Sequence, residues 1–496
     1  MRITQGFQGF GRGCGGGWPG WGHVLLACIL AGLAGCVTSG REAVPAVPLP
    51  LQWSGVAHAP EAAPTLAMAA SSLPPPAAPS SPSAPAVAST TDAWWQSFGD
   101  PVLDQLISRV LVVNNDLAAA GIRTYRARLQ AGLVDTNLTP TVSVSANGQV
   151  ARTLDTHRMS RGNSLNASLS YELDLWGKLA AQRDAAAWEV QASDEDRDAA
   201  RLALIGTTAS VYWQLGYLNR QIALNEANIV AAERTLALVQ SRYAAGAVSG
   251  LDLAQAEQSV SSQRAAQTQF LQQREENRNA LAILFDQPPQ FRMDEPRTLP
   301  LGPLPVVPAG LPAELLGRRP DLQAAEFRLR VALANVDATR RSFYPSFTLT
   351  GNLGTSSDSL VRALQNPVAT LGLGLALPLI QWNTMQLNVK VSQSQYDEAV
   401  LLFRQRLYGA LAEVENALSA RQQLDDEAQQ RALALAQAMR AETLAQMRFR
   451  AGATGVQPWI DMQQSVREAQ AAQLSNQLNR LNNRMNLYKA LGGGQG

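Results

Sequence analysis

One site in this sequence has the residue types and spacing for covalent chemistry, and it lies near the amino terminus. Leu33-Ala34-Gly35-Cys36 closes the apolar run "VLLACILAGLAG", Val24 to Gly35, and Arg2 and Arg12 precede that run. The run is too short to span a bilayer and suits the core of a signal peptide. The tetrad has the form of a bacterial lipobox. Small residues give a signal peptidase access to the backbone. The Cys36 thiol then takes a diacylglycerol-derived group as a thioether, and the freed amine takes a further acyl chain such as palmitate. Several chains hold a protein to a membrane where one does not. Val37, rather than an aspartate, follows the cysteine, which by analogy with lipoprotein sorting directs the product to the outer membrane. The alternative is an ordinary signal peptide with an incidental cysteine.

Little else is placed for catalysis. The three cysteines are Cys14, Cys28 and Cys36, and His157 is the only histidine beyond residue 58. No Cys/His spacing resembles a metal site. Gly11-Arg12-Gly13-Cys14-Gly15-Gly16 fits the glycine pattern of a nucleotide loop, but it follows no strand, opens no helix and falls in the leader. No nucleophile–base pair stands out. The expectation is a non-enzyme with no metal and no cofactor apart from covalent lipid on Cys36. A net charge of +1 gives no reason to expect a nucleic-acid partner. Charged residues are 16% of the chain, below the roughly 25% of an average domain. Alanine and glutamine fill the difference and favour long, closely packed helices.

The chain from Val37 to about Thr91 is rich in Pro, Ala and Ser, as in "SSLPPPAAPSSPSAPA". Such a composition does not bury a core and reads as an extended tether. Beyond it, the sequence is written twice. "SRYAAGAVSG" begins at Ser241 and "MRFRAGATGV" begins 206 positions later at Met447. "TPTVSVSANG" and "YPSFTLTGNL" match at an offset of 205, and "LDLW" falls on "LIQW" at 206. Many weak matches at one nearly constant offset mark a duplication. Each copy carries a helix (Pro101 to Leu138 and Ala313 to Arg341), two strands, and two long helices joined by a tip.

The strands alternate. Val142, Val144 and Ala146 interleave with serines and Asn147, and Leu165, Ala167, Leu169, Tyr171 and Leu173 interleave with polar residues. Phe347 and Leu349, then Leu371 through Leu379, repeat the pattern in the second copy. Period two gives one apolar and one polar face. About ten such residues cross a bilayer as a tilted strand, although a soluble half-buried sheet shares the pattern. Four strands do not close a barrel, and open edges are not tolerated in lipid. Membrane strands here would require two copies for eight strands or three for twelve.

Leu202, Ile205, Ala209, Tyr212, Leu215, Leu218, Ile222, Ile229 and Leu236 recur at threes, fours and sevens, the mark of a packed helical face. Lys178 to Tyr243 spans roughly 100 Å as a helix. That length suits crossing a periplasm. "RYAAGAVSGLD" and "RFRAGATGVQPWID" then read as hairpin tips, where Gly246 and Gly452 end helices. Ser249 with Asp252 reads as a helix cap, and Pro458 suits the first turn of the returning helix.

On these residues the chain resembles the outer membrane efflux proteins of the TolC-like superfamily, and most closely the NodT-type lipoproteins that serve resistance–nodulation–division pumps. The resemblance covers about Trp94 to Gly494. It is carried by "WWQSFGDPVLDQLI", "YELDLWGK", "RRPDLQAAEFRL", both tips and "NLYKALGGG". It departs at "IQWNT", Ile380 to Thr384, where relatives usually carry a Phe-Asp-Gly-Gly-like turn.

The resemblance implies an α+β homotrimer: a 12-stranded transmembrane β-barrel, four strands per chain, continuous with a long periplasmic α-helical barrel. The implied division is 1–35 signal peptide, 36–91 lipidated N-terminus and tether, 92–286 first repeat, 287–312 equatorial connector and 313–496 second repeat. The implied function is a passive outer membrane exit duct for drugs or other small toxic molecules. Its partners would be sister copies, outer membrane lipid, a periplasmic adaptor and an inner-membrane resistance–nodulation–division transporter. The alternatives are the duct of a type I protein secretion system and a periplasm-spanning structural lipoprotein.

Asp461 falls where the family places a gating aspartate. Three copies would form an acidic ring, although an acid in a first helical turn is also stabilised by the helix dipole. Phe449 falls where relatives line the constriction, and it reads equally as core packing. Gly246, Ala247, Val248 and Ser249, with Gly452, Ala453, Thr454 and Gly455, are the adaptor-docking candidates. Trp94 and Trp95 read as packing in an equatorial collar.

Overall fold

The computed structural model describes Pro50, Trp53 and residues 93–493, apart from 153, 156, 301, 308, 309, 311 and 359–366. Residues 1–35, expected as a signal peptide, Cys36 and most of 36–91 lie outside the described residues.

Helix α1 (Pro101–Val113) starts because Asp100 accepts hydrogen bonds from the amides of Val102 and Leu103, with Pro101 preset for the first turn. The single helix expected from Pro101 to Leu138 is divided. Asn114 leaves the helical conformation, caps α2 (Asn115–Asp135) through Leu117 N–H, and donates its amide to Leu284 O at 2.9 Å. A 3-10 turn, Thr136–Leu138, then leads into the sheet.

Strands β1 (Thr141–Arg152), β2 (Met159–Leu173), β3 (Ser346–Ser357) and β4 (Val368–Ala376) form one antiparallel sheet in the order β1-β2-β3-β4. The register aligns side chains of one kind across all four strands. Val142, Leu169, Gly351 and Leu371 share one row, and Val144, Ala167, Leu353 and Ala369 the next. Ser143, Ser168, Asn352 and Thr370 occupy the opposite face, where Ser143 and Ser168 bond at 2.7 Å. From Leu165 to Leu173 the apolar rows of β2 cover roughly 26 Å. β4 stops at Ala376, short of the expected Leu379. Pro378 has no N–H for the ladder and opens a 3-10 turn, Pro378–Gln381.

The two strand-to-helix junctions differ. After β2, Gly177 takes a left-handed conformation, Trp176 Nε1 donates to Pro345 O at 2.6 Å and Asp174 caps Ala180 N–H. After β4, the "IQWNT" segment has no glycine and turns directly into helix through the 3-10 turn.

Helices α3 (Lys178–Ala244) and α7 (Trp382–Arg450) have 67 and 69 residues, roughly 100 Å each. They return through α4 (Gly250–Leu284) and α8 (Gln457–Ala490). A single-turn helix α5 (Leu315–Arg318) precedes α6 (Pro320–Arg341). Next to the sheet the packing order is α2, α3, α6, α7; toward the tips it is α4, α3, α8, α7. Among the described residues no helix is long and apolar enough to cross a membrane.

Where the two orders meet, a collar is packed around two apolar cores. Trp95, Leu103, Ile107, Tyr212, Trp213, Phe285, Leu299 and Met485 fill the first, and Trp94 stacks on Tyr488 at 4.7 Å. The second gathers Leu315, Leu322, Phe403, Leu407, Val414 and Leu487. Arg319, only 8% exposed, binds Asp321 through two bonds, Glu413 at 2.7 Å and Ala490 O at 3.2 Å. That knot fastens α6 to α7 and α8. Trp53, from the segment expected to stand off as a tether, is packed into this second core.

Candidate functional site at the hairpin tips

Both hairpins turn by the same device. Gly246 and Gly452 have φ of 72°, and the amides of Ala247 and Ala453 bond back to Arg242 O and Arg448 O at 2.8 and 2.9 Å. This is the six-to-one closure of a helix end, and the left-handed position suits glycine. Gly246, Ala247, Ser249, Gly452, Ala453 and Gly455 are exposed, whereas Val248 and Thr454 are half-buried. The docking candidates therefore present mostly backbone and small side chains at the end of the helices.

Beneath the turns lies an apolar core of Val239, Ala256, Phe449, Val456 and Trp459. Phe449, 1% exposed, stacks on Trp459 with ring centroids 5.5 Å apart. Trp459 Nε1 donates to Glu442 at 2.6 Å. Of the two roles left open for Phe449, the ring occupies the packing one within this chain: it faces neighbouring side chains rather than open space.

Two charged residues of the first hairpin hold the second. The Arg242 guanidinium lies 4.6 Å from the Phe449 ring centroid and donates to Phe449 O and Arg450 O, both at 2.8 Å. It thereby covers Arg450 O at the end of α7 and adds a second donor to Phe449 O, which already accepts from Gly452 N–H at 3.0 Å. Asp252 works at the other terminus. Its Oδ2 accepts from Ser249 N–H and Oγ–H at 3.0 and 2.7 Å, and Ser249 Oγ accepts from Asp252 N–H, completing a capping box. Its Oδ1 accepts from Val456 N–H at 3.1 Å, across to the second hairpin. The Ser249 hydroxyl first, and these amides after it, hold the Asp252 carboxyl below its ordinary range.

Asp461 is exposed, one turn beyond the start of α8, where the Gln457 amide donates to it at 2.6 Å. It is not in the first turn of the helix, which weakens the dipole explanation for an acid at this position. The structure brings Phe449 and both tips into one cluster and leaves the Asp461 carboxylate outside it. Cys36 lies outside the described residues. Sequence reasoning recognised Ser249 and Asp252 only as a local cap and assigned no role to Arg242. The available signal was the Arg-aromatic pair written in both tips, with a cation in the last helical turn. Among the described residues, no group of His, Cys, Asp and Glu could hold a metal ion.

A sheet with one apolar face, mounted on helices of roughly 100 Å that end in small-residue tips, defines a subunit of an outer-membrane channel. The chain belongs to the outer membrane efflux protein family, whose profile matches residues 106–285 and 311–493. It is 33% identical over 458 residues to the pyoverdine export outer membrane protein OpmQ of Pseudomonas putida, covering 90% of this chain and 96% of that one. The open state of the Neisseria gonorrhoeae MtrE outer membrane channel superposes with a TM-score of 0.71 at 31% identity, covering 82% and 94% of the two chains. The Campylobacter jejuni CmeC outer membrane channel gives 0.75 at 26% identity, covering 82% and 88%. The protein is an outer membrane exit duct for efflux, TolC-like in fold, and not an enzyme.

Proposed function

We propose that three copies of this chain close a 12-stranded barrel in the outer membrane and continue it as a helical tunnel. The observation that carries this reading is the sheet itself. Its apolar face crosses all four strands in the rows of Leu169 and Ala167, and among the described residues β1 and β4 each leave one edge without a strand partner. In lipid an open edge strands a row of backbone groups without hydrogen bonds, so sister sheets must complete the cylinder. The helix layer has matching free edges: Ile122, Leu129 and Leu133 on α2, and Leu387, Val391 and Leu401 on α7, are exposed apolar residues. Such stripes are what one protomer would bury against the next.

In this reading the tips dock a periplasmic adaptor that links the duct to an inner-membrane resistance–nodulation–division transporter. Asp461 rings the narrow end and favours cations, Phe449 anchors the tip that carries the ring, and lipid on Cys36 fixes the assembly to the outer membrane. The cargo class is drugs or other small toxic molecules. The test is reconstitution: detergent-extracted protein should run as a heat-modifiable trimer and form discrete conducting steps in planar bilayers. A water-soluble monomer without channel activity would refute the reading.

A further inference from the structure

The residue that sequence composition explains least is Trp53. It lies in a Pro/Ala/Ser-rich segment that reads as tether, yet its side chain is 4% exposed in the second collar core, among Val307, Leu315, Leu322, Phe403 and Leu407. Its indole Nε1–H donates to Gly310 O at 3.0 Å, 257 residues away. The receptor is shaped for this bond. Gly310 has φ of 64°, and a Cβ there would lie 2.7 Å from Glu314 Oε2. Glu314 is held in turn by Arg318 at 2.8 Å, and Arg421 donates to Val307 O at 3.3 Å. An indole buried among leucines with its one polar atom paired is a specific contact, because an unpaired N–H there would oppose burial.

We infer that Trp53 pins the amino-terminal arm to the base of α6 and so sets how far the lipid anchor can stand from the collar. The inference rests on the reading of Cys36 as the lipidated residue. Trp53 lies seventeen positions after Cys36, a reach of at most roughly 56–61 Å. The distance to be covered is fixed by α6. The pin shares one core with Leu315 of α5 and Leu322 at the foot of α6, and α6 continues to Arg341, 22 residues in all, or about 33 Å. β3 and its apolar rows begin just above, at Ser346 and Phe347. The arm therefore reaches the lipid with roughly 20 Å in reserve. Were Trp53 not docked, the whole interval from Cys36 to Trp94 would be available and the anchor would set no spacing. With Trp53 docked, the anchor and the collar are coupled through one short arm.

The coupling is tested on the full-length, membrane-extracted protein by hydrogen exchange at the amides of residues 312–322. Trp53→Ala should speed exchange there about tenfold or more, and Trp53→Phe, which keeps a ring but loses the N–H, by less. Exchange at residues 242–256 of the first tip should not change. The second measurement shortens the arm. Deleting residues 39–48 leaves a reach of about 25 Å, below the span of α6. In acylated protein this deletion should release the pin and speed exchange at 312–322. In protein exported with a non-lipoprotein signal, the same deletion should have no effect. Unchanged exchange in Trp53→Ala overturns the pin. Equal release by the deletion with and without acyl chains overturns the coupling and leaves a local packing defect. Mass spectrometry of the amino-terminal peptide separates the premise: an unacylated Cys36 ends the anchor reading and the coupling, while Trp53→Ala still decides the docking.

Discussion

The two hairpin tips carry matching sequence 206 positions apart, turn through the same glycine geometry, and are held in different ways. The first tip is self-sufficient: Ser249 and Asp252 cap α4 reciprocally. The second has no side-chain cap of its own, since Val456 occupies the cap position of α8 without such a bond. It receives one instead from Asp252 of the first tip, while Arg242 of the first tip covers the carbonyls that end α7. The aromatic residues at matching positions have also parted. Phe449 is 1% exposed and Tyr243 is 48% exposed. A repeat thus preserves a turn while dividing the roles around it: one copy supplies the polar caps, and the other supplies the aromatic core onto which they close. The second tip, which also carries Asp461, is the dependent one.

The sharpest way to break this comparison is to truncate both aromatics. Phe449→Ala should destabilise the tip by about 3–5 kcal/mol, the usual range for deleting a buried phenyl ring. Tyr243→Ala should stay within about 0.5 kcal/mol. Hydrogen exchange at the amides of residues 447–459 reads both, and equal effects would end the claim that the copies have diverged. The arginines give the next contrast. Arg242→Ala removes two charge-assisted bonds and a ring contact and should cost about 2–3 kcal/mol at the second tip. Its counterpart Arg448, which makes no such bonds among the described residues, should be near neutral when changed to alanine. Arg242→Lys should recover only part of the loss, because a single ammonium does not reproduce a guanidinium reaching two carbonyls.

Much of this molecule was legible in its sequence. Period-two alternation located all four strands, because successive side chains of a strand fall on opposite faces and the apolar ones share one face. The turn glycines and the S-x-x-D cap located the tips, because left-handed backbone and orphan amides demand those residue types locally. What failed to show was non-local or decided by one atom. Asn114 looked like one more helical residue; its amide reaches Leu284 O and divides the helix. Leu377 and Leu379 continued the alternation, but Pro378 removed the N–H needed to extend β4. Arg242 meets Phe449 O across 207 positions, and no local pattern encodes that pairing. Trp53 was hidden by the composition of its neighbours. Asp461 and the docking tips were assigned by resemblance and remain the proposed gate and adaptor contacts; which side chains hold them in place was visible only in three dimensions.

Smaller effects sharpen the comparison at the two aspartates. Asp252→Asn should cost about 1 kcal/mol, the usual loss of a cap, and should loosen both tips because one carboxylate serves both. The pH dependence follows from the sign of the shift. A carboxyl held below its ordinary value stabilises the fold above the unfolded value of about 3.9 and loses that contribution as pH falls through its folded value. The free energy of opening at the tips, taken from exchange rates corrected for the intrinsic amide rate at each pH, should therefore be flat from pH 7 down to about pH 5 and fall only below it. A fall already at pH 6 would mean that another group governs the tips.

Asp461 supplies the opposite case and the smallest effect on stability. Its carboxylate is exposed and its one partner among the described residues is the Gln457 amide a turn away, so Asp461→Asn should change tip stability by no more than about 0.5 kcal/mol. If three such carboxylates surround the axis, removing their charge should still alter ion passage, because a ring of acids concentrates cations at a constriction. Asp461→Asn should lower the preference for cations over anions in single-channel recordings, and Asp461→Ala should in addition make cells more permeable to large antibiotics. Asp252→Asn should do the reverse, loosening the tip with little change in ion preference. Recordings in which Asp461→Asn leaves both conductance and selectivity unchanged would remove Asp461 from the gate and leave it a surface residue of α8.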